Sequence, residues 1–269
     1  MYDKILKKLD KQEKEEGKLP LLLVFYRRLL GVQDEAYQRL GAAAAKTRLS
    51  TEVIAERIRN GIPILRFEDL DLDLPRVREV YGQVVAIFRA YPELFGEIPE
   101  TATPELTEKL VKAWYEGTSL PAGTASELLL KTVLQATLNP FLRRYSEALI
   151  GLFSGDSWLR RYCPVCGGSP DFAFLDKERG ARWLLCSRCD TQWVYKRLEC
   201  PYCGNQDQNS LAYFTDEKEL YRLYTCQRCQ KYLKAIDLRK TEEDIILPLE
   251  RLLTADMDRQ AQEKGFSSG

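Results

Sequence analysis

The chain has 269 residues, enough for about two domains. Hydrophobic residues make up 45% and charged residues 30%, an ordinary globular mix that excludes wholesale disorder. Forty Lys and Arg balance forty Asp and Glu, which argues against a surface built throughout to attract nucleic acid or an anionic membrane. The histidine count is zero, which excludes Ser-His-Asp and Cys-His catalysis and every His-ligated metal shell.

From the N-terminus, the chain is heavily charged to Lys18, and an apolar run, Leu19 to Tyr26, is stopped by Arg27-Arg28. That run lacks a small-residue cleavage site, so no signal peptide is predicted. No stretch has the length of a bilayer span, and a cytoplasmic location is expected. Residues 1–157 read as a helical domain. Ala42 to Ala45 favour helix. Val77, Val80, Tyr81, Val84, Val85 and Phe88 recur at spacings of three and four, and Pro92 closes that segment. Thr103-Pro104-Glu105 predicts an N-cap with Pro at the first helical position. Thr124 to Glu127 fits a capping box before Leu128-Leu129-Leu130, in a helix that runs to Leu149 with a kink or break at Pro140. These stripes read as bundle core.

Near Ser154-Gly155-Asp156 the pattern changes, and residues 158–240 form a second segment of short aromatic and β-branched runs. Asp171–Leu175 and Arg182–Leu185 flank a turn at Lys177–Gly180, a hairpin signal. Trp193–Leu198 reads as another strand. Leu211–Phe214 and Leu220–Tyr224 flank a second turn at Asp216–Lys218, and Tyr232–Leu238 gives a last strand. Residues 241–269 turn helical again, packing back on the body. Pro248 suits a first turn, Leu249, Leu252, Leu253 and Met257 share a face, Gly265 suits a C-cap, and Phe266–Gly269 is expected to fray.

All eight cysteines lie in the middle segment, as four Cys-x-x-Cys pairs: Cys163 and Cys166, Cys186 and Cys189, Cys200 and Cys203, Cys226 and Cys229. Cys163-Pro-Val-Cys-Gly and Cys200-Pro-Tyr-Cys-Gly each precede a hairpin and a plainer pair, so one unit is used twice. A tight Cys-Pro-x-Cys-Gly turn aims two sulfurs at one point, and Gly permits a positive φ just after them. The hairpin then returns two more. Four thiolates close a tetrahedral shell suited to zinc or a single iron, one ion per shell and two per chain. Sequential pairing of the motifs is the simplest arrangement; a crossed one stays open. Disulfides are disfavoured without an export signal, and thioredoxin-like chemistry needs its pair at a helix N-terminus rather than between strands.

A closed four-thiolate shell leaves no position for substrate or water, so the expected protein is not a hydrolytic enzyme. The segment carries fifteen Lys and Arg against ten Asp and Glu. Two zinc tetrathiolates reduce that surplus to about +1, and two ferric ones to about +3, which weakens the case for a nucleic-acid-binding zinc ribbon. Such a ribbon remains the alternative reading, with a Cys-x-x-Cys oxidoreductase behind it. Trp183, Trp193, Tyr195, Tyr213, Tyr221 and Tyr224 read as cover for the hairpins, with a stacking or peptide-binding surface as the other possibility. The fold class expected is α+β: a helical domain, two tandem zinc-ribbon units and a C-terminal helix.

The order of motifs resembles the formate dehydrogenase accessory protein FdhE family. The matching residues are Cys163–Gly167, Leu184–Cys189, Trp193, Cys200–Gly204, Cys226–Cys229 and Tyr232-Leu233-Lys234, with Leu249–Gly265 fitting the family's last segment. The resemblance implies a cytoplasmic accessory factor, not itself an enzyme, that binds the catalytic subunit of a formate dehydrogenase during assembly. It also implies rubredoxin-like metal centres at the eight cysteines, structural or, with iron, redox-active. Asp190 and Gln230 stand where the first and third pairs have Gly, which leaves the geometry of those two turns open.

Overall fold

The computed structural model describes residues 1–40, 49–120 and 127–269. Its helices are α1 (Tyr2–Glu16), α2 (Leu21–Leu40), α3 (Thr51–Arg59), α4 (Leu74–Arg89), α5 (Pro92–Phe95), α6 (Glu108–Glu116), α7 (Glu127–Leu149), α8 (Leu247–Leu253) and α9 (Ala255–Glu263). Its strands are β1 (Pro170–Leu175), β2 (Arg182–Cys186), β3 (Gln192–Val194), β4 (Leu211–Thr215), β5 (Tyr221–Cys226) and β6 (Lys231–Asp237). The mixed α+β class is thus observed. The helix expected at Ala42–Ala45 and the capping box from Thr124 lie outside the described residues. Among the described residues no helix is long and apolar enough to cross a membrane.

Two compact units form. One holds α1 and α2 with Arg66–Tyr145; the other holds Leu49–Leu65 with Ser146–Gly269. These units cut the chain differently from the three sequence segments, because α3 and the residues after it pack with the sheet.

In the first unit the α4 stripe forms as its spacing dictates. Val77, Val80, Tyr81, Val84, Val85 and Phe88 are all buried. Asp73 caps the helix, accepting from the Arg76 N–H at 3.3 Å. The Phe25 ring on α2 meets Phe88, Tyr91 and Phe95 at 5.0, 5.5 and 4.7 Å, mostly edge-on. Pro140 neither ends α7 nor leaves it unsatisfied. A proline deprives the carbonyl four residues earlier of its partner, and here the buried Gln33 side chain donates to Ala136 O at 2.7 Å in its place. The cap expected at Thr103 is instead Thr107, whose hydroxyl accepts from Leu110 N–H at 3.2 Å to open α6. Pro104 precedes that helix, its carbonyl accepting from the Tyr81 hydroxyl at 2.9 Å.

In the second unit all six strands join one sheet in the order β3-β2-β1-β6-β5-β4. Each repeat contributes three antiparallel strands, with the hairpins where the sequence places them. The repeats meet through a parallel pairing of β1 with β6, Phe172 opposite Lys234 to Leu175 opposite Asp237. The strand expected from Trp193 to Leu198 ends at Val194. Phe172, Phe174, Leu185, Ile236 and Leu247 form one core, and Trp183 stacks on Phe174 at 5.9 Å.

The single C-terminal helix expected is two, broken at Thr254, where the Thr254 hydroxyl donates to Glu250 O at 2.7 Å. Of the face expected to be shared, Leu249 is buried, but Leu253, one turn later on α8, is exposed. Gly265, at φ 84°, ends α9. The tail beyond it does not fray, because Ser267 N–H donates to Gln230 O at 2.8 Å and Ser267 O accepts from Tyr232 N–H at 3.1 Å. Backbone pairing to the start of β6 supplies what the sequence pattern did not show.

Candidate metal centres

Each Cys-x-x-Cys pair sits in a tight turn beside a strand, and the turns of the two repeats superpose bond for bond. Gly167 N–H donates to Cys163 O and Gly204 N–H to Cys200 O, both at 3.0 Å. Cys163 N–H donates to Gly168 O at 2.8 Å and Cys200 N–H to Asn205 O at 2.9 Å. Gly167 and Gly204 both lie at φ 71°. Asp190 and Gln230 adopt the same left-handed backbone, at φ 57° and 54°, despite carrying side chains. Asp190 is held from outside by the Arg251 guanidinium at 3.0 Å, and Gln230 from within its turn by its own amide on Gln227 O at 2.7 Å. The residue after each of the four pairs is therefore left-handed, glycine or not.

The eight cysteines gather sequentially, not crossed. Cys163, Cys166, Cys186 and Cys189 form centre 1; Cys200, Cys203, Cys226 and Cys229 form centre 2, with the sulfurs of each group all within 4.8 Å of one another. The nearest sulfur pairs stand 3.5 to 3.6 Å apart in centre 1 and 3.7 Å apart in centre 2. No disulfide joins any of the eight. A tetrahedral ion with metal–sulfur bonds of about 2.3 Å spaces its ligands about 3.8 Å apart, so both groups have the shape that such an ion needs. Each group could hold one metal ion, and neither offers a histidine or a carboxylate to it.

The two centres differ in their surroundings. All four cysteines of centre 1 are buried, whereas Cys203 and Cys229 of centre 2 are half-exposed. Residues 49–65 make that difference. Ile64 N–H donates to Pro164 O and Leu65 N–H to Val165 O, both at 2.8 Å, laying a second backbone over the first turn. The Tyr162 hydroxyl donates to Gly61 O at 2.7 Å. Thr191 Oγ1 lies 3.0 Å from Cys189 Sγ and 2.6 Å from Ser146 Oγ, and Arg188 N–H donates to Cys186 Sγ at 3.4 Å. A Cβ on Gly168 would stand 3.1 Å from Cys186 Sγ and 2.8 Å from Arg188 Cδ, so the backbone there must be bare. The matching residue of centre 2 is Asn205, whose amide faces Cys226 Sγ at 3.8 Å and donates to Ser210 Oγ at 2.6 Å.

Burial and the three neighbouring thiols push the Cys163 thiol well above its ordinary value. At Cys226 burial also works upward, but the backbone N–H groups of Cys229 and Arg228 outweigh it and bring that thiol down to about 7. Burial also raises the Cys200 and Cys229 thiols of centre 2, so metal loading displaces protons held tightly at both centres.

Of the aromatic residues singled out in the sequence, Trp193 and Tyr195 are fully buried. The Trp193 indole donates to Arg160 O at 2.8 Å, covering the sheet as expected. Tyr213, with its neighbour Phe214, is exposed on edge strand β4. The sequence reading missed Thr191, Ser146, Asn205, Arg182, Arg251 and the Ile64-Leu65 segment. Alignment of the two repeats finds two of these positions: Asn205, opposite Gly168 two residues after a cysteine pair, and Arg182, opposite Arg222 four residues before one. Thr191 lies two residues after Cys189, whereas Ser146, Arg251 and the Ile64-Leu65 segment arrive from distant chain and carry no local signal.

A mixed α+β fold with two four-cysteine groups on tandem three-stranded ribbons defines a metal-binding ribbon protein. Residues 162–197 match the family model described as the FdhE central domain. The chain is 31% identical over 226 residues to a protein FdhE homolog of Aquifex aeolicus, covering 81% of this chain and 76% of that one. It is 32% identical over 152 residues to a Pseudomonas aeruginosa homolog, covering 50% of this chain and about half of the relative, 48%. The crystal structure of the FdhE protein from Pseudomonas aeruginosa shares the fold, with TM-score 0.61 and 23% identity over 99% of this chain and 92% of that one. The chain belongs to the FdhE family.

Proposed function

We propose that the chain is a cytoplasmic accessory factor that binds the catalytic subunit of a formate dehydrogenase during its assembly and is not itself an enzyme. Two metal ions, zinc or iron, are bound by Cys163, Cys166, Cys186 and Cys189, and by Cys200, Cys203, Cys226 and Cys229. The observation that carries the reading is the closure of both sulfur groups. Four thiolates leave no coordination position for a substrate, in a chain without histidine. When bound, each ion supplies folding free energy to a ribbon with little core of its own. The residues around it do the rest: Thr191 and Asn205 orient sulfurs, and residues 49–65 exclude water from centre 1. The family supports the partner, and a docking module shaped by metal supports binding rather than chemistry.

The nucleic-acid alternative loses support from how its cations are used. Lys196 pairs with Glu199, Lys240 with Glu219, and Arg222 and Arg239 with Asp237, all within the fold. The test is binding of purified chain, as isolated and after metal stripping, to the purified catalytic subunit of a formate dehydrogenase, by calorimetry. Micromolar or tighter binding that stripping abolishes is expected. No binding by the metal-loaded chain overturns the proposal.

A further inference from the structure

Arg182 on β2 and Arg222 on β5 occupy the same place in the two repeats, four residues before Cys186 and Cys226 respectively. Both are buried. Arg222 meets a carboxylate, Asp237, at 2.7 Å. Arg182 meets none among the described residues. Its Nη2 donates to the carbonyls of Lys196 and, at 2.6 Å, Glu199, its guanidinium lies 5.4 and 5.5 Å from the ring centres of Tyr195 and Tyr224, and its Nε has no partner. Carbonyl dipoles and ring faces solvate a guanidinium in part, but they carry no net charge. An unbalanced charge taken out of water is among the costlier things a fold can contain.

The surroundings supply a candidate anion. Arg182 shares the lining of a cavity of about 40 Å³ with Cys200 and Cys226 of centre 2, together with Tyr202 and Tyr224. The carbonyl it holds, Glu199 O, belongs to the residue before Cys200. A divalent ion in four thiolates has a net charge of about −2, buried on one side. Centre 1 is set differently. The cation beside it, Arg251, reaches Cys186 O at 3.2 Å but is already paired with Asp171 at 2.9 Å and Asp190 at 3.0 Å.

We propose that Arg182 is the buried counter-charge of the metal-loaded second centre, a positioning residue contributed by the first repeat on which metal retention at centre 2, and not at centre 1, depends. The inference rests on the reading that the cysteines hold metal. It makes the two repeats unequal partners: the first completes the charge balance of the second.

The test uses full-length chain loaded with zinc without air and titrated with a chromophoric chelator, for wild type and for Arg182→Lys, Arg182→Gln and Arg182→Met. The release phase missing from Cys203→Ser protein is centre 2. Gln and Met are expected to release that zinc about 10- to 100-fold more readily, and Lys to stay near wild type, with the centre 1 phase unmoved in all three. Gln keeps an amide donor on a shorter side chain and loses the charge, whereas Lys keeps the charge, so Gln behaving as wild type overturns the proposal. Equal movement of both phases in Gln, with Lys no better, also overturns it by making Arg182 a fold residue. If Met fails to fold, the Lys–Gln pair decides. Wild type that takes up no zinc overturns the metal reading and this inference together. Wild type that takes up two, with Gln unchanged, overturns this inference alone.

Discussion

Centres 1 and 2 have the same four-cysteine complement, the same hydrogen bonds in their first turns to within 0.1 Å and the same strand arrangement, yet one is sealed and the other half-open. The ligand turns are thus set locally, by Cys-x-x-Cys spacing and a left-handed residue after it. Enclosure is set from afar, by residues 49–65 and by the Ser146–Thr191 contact on Cys189. Repetition of a motif reproduces a coordination shell; it does not reproduce the environment that governs how firmly the shell keeps its ion.

The sharpest way to break the comparison is to remove one ligand from each centre. Cys186→Ser should cost one metal per chain and, because centre 1 lies within a buried core, unfold the second unit or lower its melting temperature by more than 10 °C. Cys203→Ser should cost one metal with a smaller drop. Metal analysis and thermal melts check both, and equal drops would mean that enclosure adds nothing.

The next largest effect concerns a feature that only the second repeat has. Burial pushes the Asp237 carboxyl up, but the Arg239 and Arg222 guanidiniums outweigh it and hold it below its ordinary value. That ionised pairing stabilises the fold above about pH 4 and is lost as pH falls through the lowered native value. Asp237→Asn leaves Arg222 buried without its partner and should cost about 3 kcal/mol at neutral pH in urea unfolding. It should also flatten the acid limb of the stability profile. An acid limb unchanged in the variant would show that another carboxylate sets it.

A smaller change sharpens the contrast at the sulfurs. Thr191→Val removes the hydroxyl 3.0 Å from Cys189 and should speed chelator release from centre 1 by about tenfold without touching centre 2. Smallest is Gln230→Gly, which relieves a side chain at φ 54° and should stabilise the protein by about 0.5 to 1 kcal/mol. Asp190→Gly should instead destabilise it, since that residue holds Arg251. Paired urea midpoints decide whether the two left-handed residues differ as described.

The sequential grouping of the eight cysteines, both hairpins and the α4 stripe were legible in the sequence because each is written in short-range spacing. The displaced cap at Thr107, the unbroken helix through Pro140 and the pinned tail were not. The cap is local, formed with the Leu110 N–H, but the helix and the tail depend on partners far away in the chain: Gln33 for the carbonyl that Pro140 orphans, and Gln230 and Tyr232 for Ser267. Arg182 illustrates the limit most clearly. Its offset from Cys186 is visible in one line of text, but the missing carboxylate that gives it meaning is visible only in space.

The parallel seam between β1 and β6 also has a consequence for biosynthesis. Centre 1 has its last ligand once Cys189 is made, and its cover from residues 49–65 already exists by then. Strand β1 waits for β6, some sixty residues later in the chain. At roughly 5 to 20 residues per second the ribosome leaves that edge open for several seconds. During that interval the first ribbon presents an unpaired strand carrying Phe172 and Phe174, the kind of edge on which nascent chains associate wrongly. Mature sheet and nascent sheet thus expose opposite margins of the same ribbon, and the final strand to be made is the one that closes the hazard.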